Sequence, residues 1–309
     1  MRGSWRRARV ALAGGAGFDR WILESGAAGD RVVIFGGTHG DETEGVLAAH
    51  RIAGRDIALG RGTLEVVPIV HEAAFFADRR VSPIDGADLA RSFPGDRAGS
   101  ATQILAHALA TEVLAGADLL VDLHTAGQSL DIPFTAGYID DGRDRRGLSR
   151  RAALAFGADF VWRHPERPPG RTLSGIDAAI YTEAPAPGPT DAGLVERYAD
   201  GVLRVLAELQ MIDPSSAPPP AKPALRVVSG GNVDSDMQRV TKAGLFIPKV
   251  RYGERVASGQ LLGTVIDPSG AVEEEIRSHD DGWVILLMRR PHVKPGDRVI
   301  AVAVADDAG

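Results

Sequence analysis

The chain of 309 residues contains no cysteine. It therefore has no disulfide bond and no thiolate ligand, so that any metal ion would have to be bound by histidine and carboxylate side chains. No apolar stretch approaches the roughly 20 residues that a membrane-spanning helix needs. The formal net charge is −6, and this modest acidic excess gives no reason to expect a nucleic-acid partner or an anionic membrane surface.

The amino-terminal segment combines arginines with a short apolar run, in the order found in secretory signal peptides. The run is too short for such a signal and is interrupted by Gly14 and Gly15. We therefore predict a cytoplasmic protein. Hydrophobic residues make up 44% of the chain, which suffices for one large domain, or for a medium-sized domain with a small appendage.

A proline-rich stretch over residues 213–223 divides the chain. Its prolines can continue neither a helix nor a central strand, so we predict an extended linker there. Before it, over residues 1–212, apolar strands alternate with amphipathic helices, which is typical of an α/β sheet. The predicted elements are strands at 31–36, 63–70 and 118–123, and helices near 42–53, 100–115 and 192–211.

After the linker, residues 224–309 have short Val-, Ile- and Leu-rich runs separated by glycines, and this pattern predicts a small all-β module. Residues 244–263 look like one half of a barrel-sandwich of the biotinyl/lipoyl carrier type, with the second half near 282–299. A carrier needs an acceptor lysine on an exposed hairpin, usually flanked by Met or Ala. The lysines of this region lack that context, so we interpret the module as structural; they are Lys242, Lys249 and Lys294.

Two histidines follow apolar runs that read as buried strands. His39 lies in Gly-Gly-Thr-His-Gly-Asp-Glu after the run 32–35, and His124 ends Val-Asp-Leu-His. Strand ends are the usual place for a site in an open α/β sheet. A catalytic zinc needs three N or O ligands and one open position. His39, Glu42 and His124 are predicted to supply the three ligands, with one zinc ion per chain.

A His-x-x-Glu pair also has a simpler interpretation, because acidic residues in a first helical turn complement the helix dipole. The glycine-rich setting and the second strand-terminal histidine favour the metal site over this alternative. Asp122 shares a strand face with His124 by the period of two. It either orients that histidine or is an aspartate that happens to lie near a strand end, and both interpretations remain open.

Glu183 ends a Tyr-Thr-Glu motif and is predicted to be the general base for a metal-activated water. The remaining histidines have no comparable setting; they are His50, His71, His107, His164, His279 and His292. His50 and His107 fall inside predicted helices and are interpreted as surface or hydrogen-bonded residues.

These motifs resemble those of the succinylglutamate desuccinylase/aspartoacylase family. The family's first motif is similar to residues 36–42, and its third-ligand motif is similar to residues 122–124. Its Asp-Leu-Asn-Arg-x-Phe-Pro-Gly segment is similar to Asp-Leu-Ala-Arg-Ser-Phe-Pro-Gly over residues 88–95, and its catalytic glutamate corresponds to Glu183. The chain looks closest to the subgroup that deacylates N-acyl amino acids and N-acyl diamines, N-acetyl-diaminobutyrate deacetylases among them.

The resemblance implies a zinc-carboxypeptidase-like α/β fold, with a mixed sheet flanked by helices and a small C-terminal all-β module. It also implies that Arg91 binds the substrate carboxylate and that Arg80 polarises the scissile carbonyl. Arg80 has an alternative interpretation as part of a solvated surface pair with Arg79. Ala90 replaces the family's asparagine and removes an amide donor, which leaves the identity of the substrate open.

The sequence thus predicts a zinc-dependent amidohydrolase that removes an acyl group from a small N-acyl amino acid or N-acyl diamine. Two alternatives remain, a zinc carboxypeptidase that acts on peptides and a catalytically inactive binding protein. The expected partner is the small-molecule substrate, without nucleic acid or membrane, and the chain could form a homo-oligomer.

Overall fold

A mixed β-sheet runs through the computed structural model, which describes residues 4–12, 16–167, 170–185, 190–219, 226–231 and 236–306. One row of its strands consists of β1 Arg6–Ala11, β2 Gly17–Glu24, β3 Arg31–Gly36, β4 Thr63–Val67, β5 Leu119–Leu123, β7 Thr135–Ile139, β8 Phe160–His164, β9 Ala179–Glu183 and β10 Arg226–Ser229. Of these, β10 already lies after the proline-rich stretch, and the short strand β6, Leu130–Asp131, pairs outside this row.

The strand order in this row is β1-β2-β4-β3-β5-β9-β7-β8-β10. The neighbours β4, β3, β5 and β9 are all parallel, whereas β7 is antiparallel to β9. The carboxyl ends of β3, β5 and β9 therefore meet at one edge of the sheet. Adjacent strands lie about 4.8 Å apart, so side chains at these three ends are close together.

Helices cover both faces of the central strands. Val32 and Ile34 pack on one face in a cluster with three of the helices, whereas Val33 and Phe35 pack on the other face. This two-sided burial explains why β3 is apolar without interruption. The helices are α1 Thr43–Ala53, α2 Glu72–Phe76, α3 Ala101–Ala108, α4 Leu148–Phe156 and α5 Ala192–Glu208, and α3 continues into a π-helical turn, Leu109–Leu114.

Three predicted elements differ in their bounds from the observed ones. The predicted strand 63–70 ends at Val67, because Pro68 has no N–H group with which to continue the ladder. The predicted helix 192–211 ends at Glu208, and Gln210 adopts a left-handed conformation with φ of 57°. The predicted helix near 100–115 changes its hydrogen-bond pattern after Ala108.

The part after the proline-rich stretch is all-β, as predicted, and its strands are mostly antiparallel. They are β11 Gln238–Arg239, β12 Gly244–Pro248, β13 Arg255–Val256, β14 Leu261–Ile266, β15 Val272–Arg277, β16 Gly282–Met288, β17 His292–Val293 and β18 Arg298–Ala305. Four of them form a separate sheet in the order β15-β14-β12-β17. The predicted fold class, a mixed α/β sheet with helices and a C-terminal β part, is confirmed.

The two parts share hydrogen bonds. β10 pairs parallel with β8 and antiparallel with β18, and β6 pairs with β16. Near the start of the predicted extended linker, Pro214–Ser216 forms a 3₁₀ turn that is capped by Asp213. Residues 220–223 of the predicted linker lie outside the described residues. The division into domains at 212 and 224 stays a prediction. Within the described part of the chain, no helix is both long enough and apolar enough to cross a bilayer.

Candidate active site

The loop 37–42, between β3 and α1, holds His39 and Glu42 at the carboxyl edge of the sheet. Gly40 lies so close to α2 that a Cβ atom there would be 2.1 Å from the carbonyl carbon of Ala74, so a larger residue would displace the loop. Glu42 immediately precedes α1 but makes no capping hydrogen bond with its side chain. Its carboxylate is buried and turned to the histidines instead, which argues against a simple helix-dipole role.

The three predicted metal ligands come together. His124 follows β5, the strand next to β3. The Nδ1 atom of His39 lies 2.7 Å from Glu42 Oε1, and the Nδ1 atom of His124 lies 2.8 Å from Glu42 Oε2. The two Nδ1 atoms are 3.2 Å apart, and all three side chains are buried. One small ion placed among these atoms could contact all of them.

The far side of each imidazole faces a second carboxylate. His39 Nε2 lies 3.1 Å from Asp88 Oδ1, and His124 Nε2 lies 2.9 Å from Asp122 Oδ2. Asp122 is held in turn by the Thr38 hydroxyl, which donates to its Oδ1 over 2.8 Å. A carboxylate on Nε2 favours the tautomer with a proton on Nε2, which leaves the Nδ1 lone pair for a metal. Asp122 therefore orients His124.

The chemistry of this donor set fits a cation. Two Nδ1 lone pairs and one carboxylate converge here. These electron-rich atoms repel one another unless a positive charge lies between them. Burial alone would lower the pKa of His124, but the carboxylates of Asp122 and Glu42 raise that pKa well above its usual value. The negative potential that favours a proton there also favours a metal ion. His39, Glu42 and His124 could hold one.

Glu183 is the last residue of β9, which pairs with β5 and brings it to the same edge as His124. Burial, together with the nearby Glu42 carboxylate, raises the pKa of Glu183 well above its usual value. Among the described residues, its buried Oε2 atom has no hydrogen-bond partner. A carboxylate in this state is a strong proton acceptor once it is ionised.

Both predicted arginines contact Asp88, and Arg80 also contacts the metal group directly. Arg80 Nη2 and Arg91 Nε each lie 3.3 Å from Asp88 Oδ2, and Arg80 Nη1 lies 3.3 Å from Glu42 Oε1. Although burial alone would raise the pKa of Asp88, His39 and the two guanidinium groups hold it well below its usual range. Arg80 therefore lies at the site and not in a solvated surface pair.

A pocket of about 370 Å³ opens beside these groups and is lined by His39, His124, Glu183, Arg80 and Arg91. Ala90, which replaces the family's asparagine, also lines it.

Sequence reasoning missed most of the other lining residues, among them Arg171, Leu286, Tyr181 and His164. Arg171 lies after β8, and its pKa is lowered by burial and by the charges of Arg91 and Arg80. Leu286 comes from β16 in the C-terminal part. Tyr181 and His164 line the same pocket, and the Tyr181 hydroxyl lies 2.7 Å from His164 Nε2.

The sequence carried a signal for one of these residues. Tyr181 shares a strand face with Glu183 by the period of two, and the same reasoning had been applied to Asp122 and His124. No sequence pattern indicated His164, whose place in the pocket depends on the lateral order of the strands. Nothing in the sequence pattern indicated Arg171 or Leu286.

The chain is similar to proteins of one family over most of its length. Residues 28–209 match the family model described as succinylglutamate desuccinylase/aspartoacylase catalytic domain. The N-alpha-acetyl-L-2,4-diaminobutyric acid deacetylase of Halomonas elongata is 31% identical over 285 residues, which cover 86% of this chain and 79% of that protein.

Two solved structures share the fold over nearly the whole chain. The product-bound ectoine utilization protein EutE (DoeB) of Ruegeria pomeroyi is 26% identical, with a TM-score of 0.82 and coverage of 98% of this chain and 94% of that one. A succinylglutamate desuccinylase/aspartoacylase from Rhodobacter sphaeroides is 28% identical, with the same TM-score and coverage of 98% and 95%.

Proposed function

The chain belongs to the succinylglutamate desuccinylase/aspartoacylase family, and on this premise we propose that it is a zinc-dependent amidohydrolase for a small N-acyl amino acid or N-acyl diamine. The family membership predicted from the motifs is confirmed. Its relatives are named deacetylases, desuccinylases and aspartoacylases, and these enzymes hydrolyse amides. The chain is accordingly an enzyme that hydrolyses a linear amide C–N bond.

The observation that carries the proposal is the convergence of His39 Nδ1, His124 Nδ1 and the Glu42 carboxylate. Two imidazoles and one carboxylate make up a common ligand set of catalytic zinc, and three protein ligands leave a position open for water or substrate. Asp88 and Asp122 support the set, because they hold both rings with Nδ1 facing inward.

Zinc bound by these ligands would supply Lewis acidity, which polarises the scissile carbonyl and makes water acidic enough to lose a proton near pH 7. Glu183 is proposed to accept the proton of the attacking water. It then delivers that proton to the leaving amine, so that the products are a carboxylate and an amine. Its burial and its free Oε2 atom suit this role.

The arginines are proposed to act on the charged groups of the substrate. Arg80 contacts Glu42 and therefore lies within reach of a carbonyl oxygen at the metal position, where its charge would stabilise the developing oxyanion. Arg91, one residue after Ala90 at the pocket wall, would bind the carboxylate of the amino acid with its guanidinium group.

The size of the pocket favours a small amide over a peptide. A carboxypeptidase needs room for a polypeptide on the amino side of the scissile bond, whereas the pocket here has a volume of about 370 Å³ and includes Leu130 and Leu286 in its lining. β6, which carries Leu130, is pinned to β16 of the C-terminal part. An inactive binding protein is the weaker alternative, because the ligands, the candidate base and both arginines are in place.

One experiment tests the proposal directly. The purified protein is dialysed against zinc, its metal content is measured by elemental analysis, and it is assayed against N-acetyl, N-succinyl and N-formyl amino acids, N-acetyl-diaminobutyrate and a dipeptide series. We expect one zinc per chain and hydrolysis of an acylated amino acid or diamine. Hydrolysis restricted to the dipeptides, or no bound metal, would contradict the proposal.

A further inference from the structure

The pocket has two chemically different ends. One end carries three guanidinium groups, those of Arg80, Arg91 and Arg171. Another part of the lining consists of uncharged side chains and is called the uncharged end: Ile132, Ile139, Trp162, His164, Tyr181 and Leu286. The acidic residues Asp41 and Glu166 also line the pocket. His39, His124 and Glu183 line the same pocket, so an amide at the metal would share it with both groups of side chains.

Strand register builds the uncharged end. Tyr181 on β9 is directly opposite Gly137 on β7, and Gly137 is directly opposite Trp162 on β8. A Cβ atom on Gly137 would lie 2.1 Å from the Tyr181 ring, so only glycine allows this ring to lie against the β7 backbone and reach His164. Tyr181 is thus held flat along the sheet, which leaves the space above it to the pocket.

The polar atoms at this end satisfy each other. The Tyr181 hydroxyl and His164 Nε2 lie 2.7 Å apart, which is hydrogen-bond distance. Burial lowers the pKa of His164 to about 4, so the ring is neutral at physiological pH. The pair therefore offers aromatic surface to a ligand and no charge with which to bind a carboxylate.

The remaining wall is apolar and rigid. Ile132, Trp162 and Leu286 are nearly completely buried and belong to one hydrophobic cluster that joins β8 to the C-terminal strands. An acetyl group has a single methyl group and could touch only part of this wall. A longer aliphatic chain that packs against this wall would remove more of its own apolar surface from water, and each methylene group buried in this way adds to binding.

We propose that the uncharged end binds an uncharged acyl chain longer than acetyl, while the arginine end binds the carboxylate of the amino acid. This proposal rests on the proposed function and names its substrate class. In the reaction, the amide C–N bond breaks, the acyl carbon gains the oxygen of one water, and the protons of that water are shared between the carboxylic acid and the amine. The C-terminal β part then has a role in the active site, because it supplies Leu286.

A series of acyl groups on one amino acid tests the proposal in the zinc-loaded protein. The substrates are the N-acetyl, N-propionyl, N-butyryl and N-succinyl derivatives. We expect kcat/KM to rise about fourfold for each added methylene group from acetyl to butyryl. Succinyl has the same number of carbon atoms as butyryl, with a carboxylate in place of the terminal methyl group, and it should be at least tenfold slower than butyryl. A series that is flat or falls from acetyl, or in which succinyl is fastest, overturns the proposal.

Neighbouring leucines on β16 provide matched variants. Leu286 packs in the cluster that lines the pocket, whereas Leu287 packs in a different cluster and does not line the pocket. Leu286→Val should extend the gain to pentanoyl, and Leu287→Val should leave the chain-length series unchanged. Equal changes in both variants would overturn the proposal, since they would reflect a general effect on the fold. His164→Arg adds a charge at this end and should raise the succinyl-to-butyryl ratio at least tenfold.

A binding measurement separates this proposal from the proposed function. The Glu183→Gln variant is titrated calorimetrically with the same N-acyl amino acids. A fourfold gain in affinity per methylene group supports the acyl site even if the wild-type protein hydrolyses none of these compounds, and that outcome would contradict only the proposed function. Affinities independent of chain length overturn the acyl site, whatever the activity.

Discussion

Replacing Glu183 by glutamine is the sharpest test of the proposed mechanism. The change keeps the shape of a side chain whose Oε2 atom is buried, and it removes only the negative charge and the capacity to accept a proton. A positioned general acid–base group contributes about 10²–10⁴-fold to the rate, which corresponds to about 3–5 kcal/mol of transition-state stabilisation. We expect kcat to fall within this range.

The structure also predicts what the substitution leaves intact. Glu183 is not one of the three converging ligands, so zinc content by elemental analysis should stay at one per chain. The fold should not be weakened, because the Oε2 atom has no hydrogen-bond partner to lose among the described residues and because burial disfavours the charged form. Glu273→Gln, an exposed change on β15, controls for the loss of one negative charge.

The assay is steady-state hydrolysis of the best N-acyl amino acid, measured with metal analysis and thermal unfolding on the same preparations. A kcat within tenfold of the wild-type value, with zinc retained, would refute the assignment of Glu183 as the base. A loss of zinc together with activity would instead place Glu183 among the ligands.

His124→Ala should abolish stoichiometric zinc binding, because one of three ligands is lost, while the circular dichroism spectrum stays native. His279→Ala, outside the site, should keep the metal. Full zinc occupancy in His124→Ala would contradict the proposed ligand set. Arg91→Ala should raise KM about tenfold for substrates with a carboxylate and leave kcat little changed, since a partly exposed ion pair contributes mainly to ground-state binding. A carboxamide analogue of the substrate should show no such change in KM. An unaltered KM for the carboxylate substrate would contradict this role of Arg91. The lowered pKa of His164 predicts that the free energy of unfolding falls as pH decreases from about 6.5 towards 4, because the folded state then binds fewer protons than the unfolded state. The free energy of unfolding should be about 2 kcal/mol lower at pH 5 than at pH 7, and this difference should be absent in His164→Gln. Chemical unfolding at the two pH values measures the difference.

The sequence by itself determined the central part of the fold and the metal group. The apolar runs before His39 and His124 indicated buried strands, and parallel strands of one sheet bring their carboxyl ends together. Two histidines at such ends, with Glu42 three positions after the first, were therefore sufficient to predict one site. The physical reason is that the apolar pattern before each histidine is local, whereas the pairing of β3 with β5, which brings the two histidines together, is decided by the packing of the whole chain.

Only the tertiary structure decided what surrounds this group. Asp88 is 49 positions from His39 and acts on it because a loop folds back across the sheet edge. Tyr181 meets His164 because β9, β7 and β8 are lateral neighbours, an order that differs from their order along the chain. Leu286 enters the pocket because β16 follows β18 in the row that continues the sheet beyond β10. Pairing between strands distant in sequence depends on the packing of the whole chain. The hydrophobic periodicity of a single segment does not indicate which strand will pair with it.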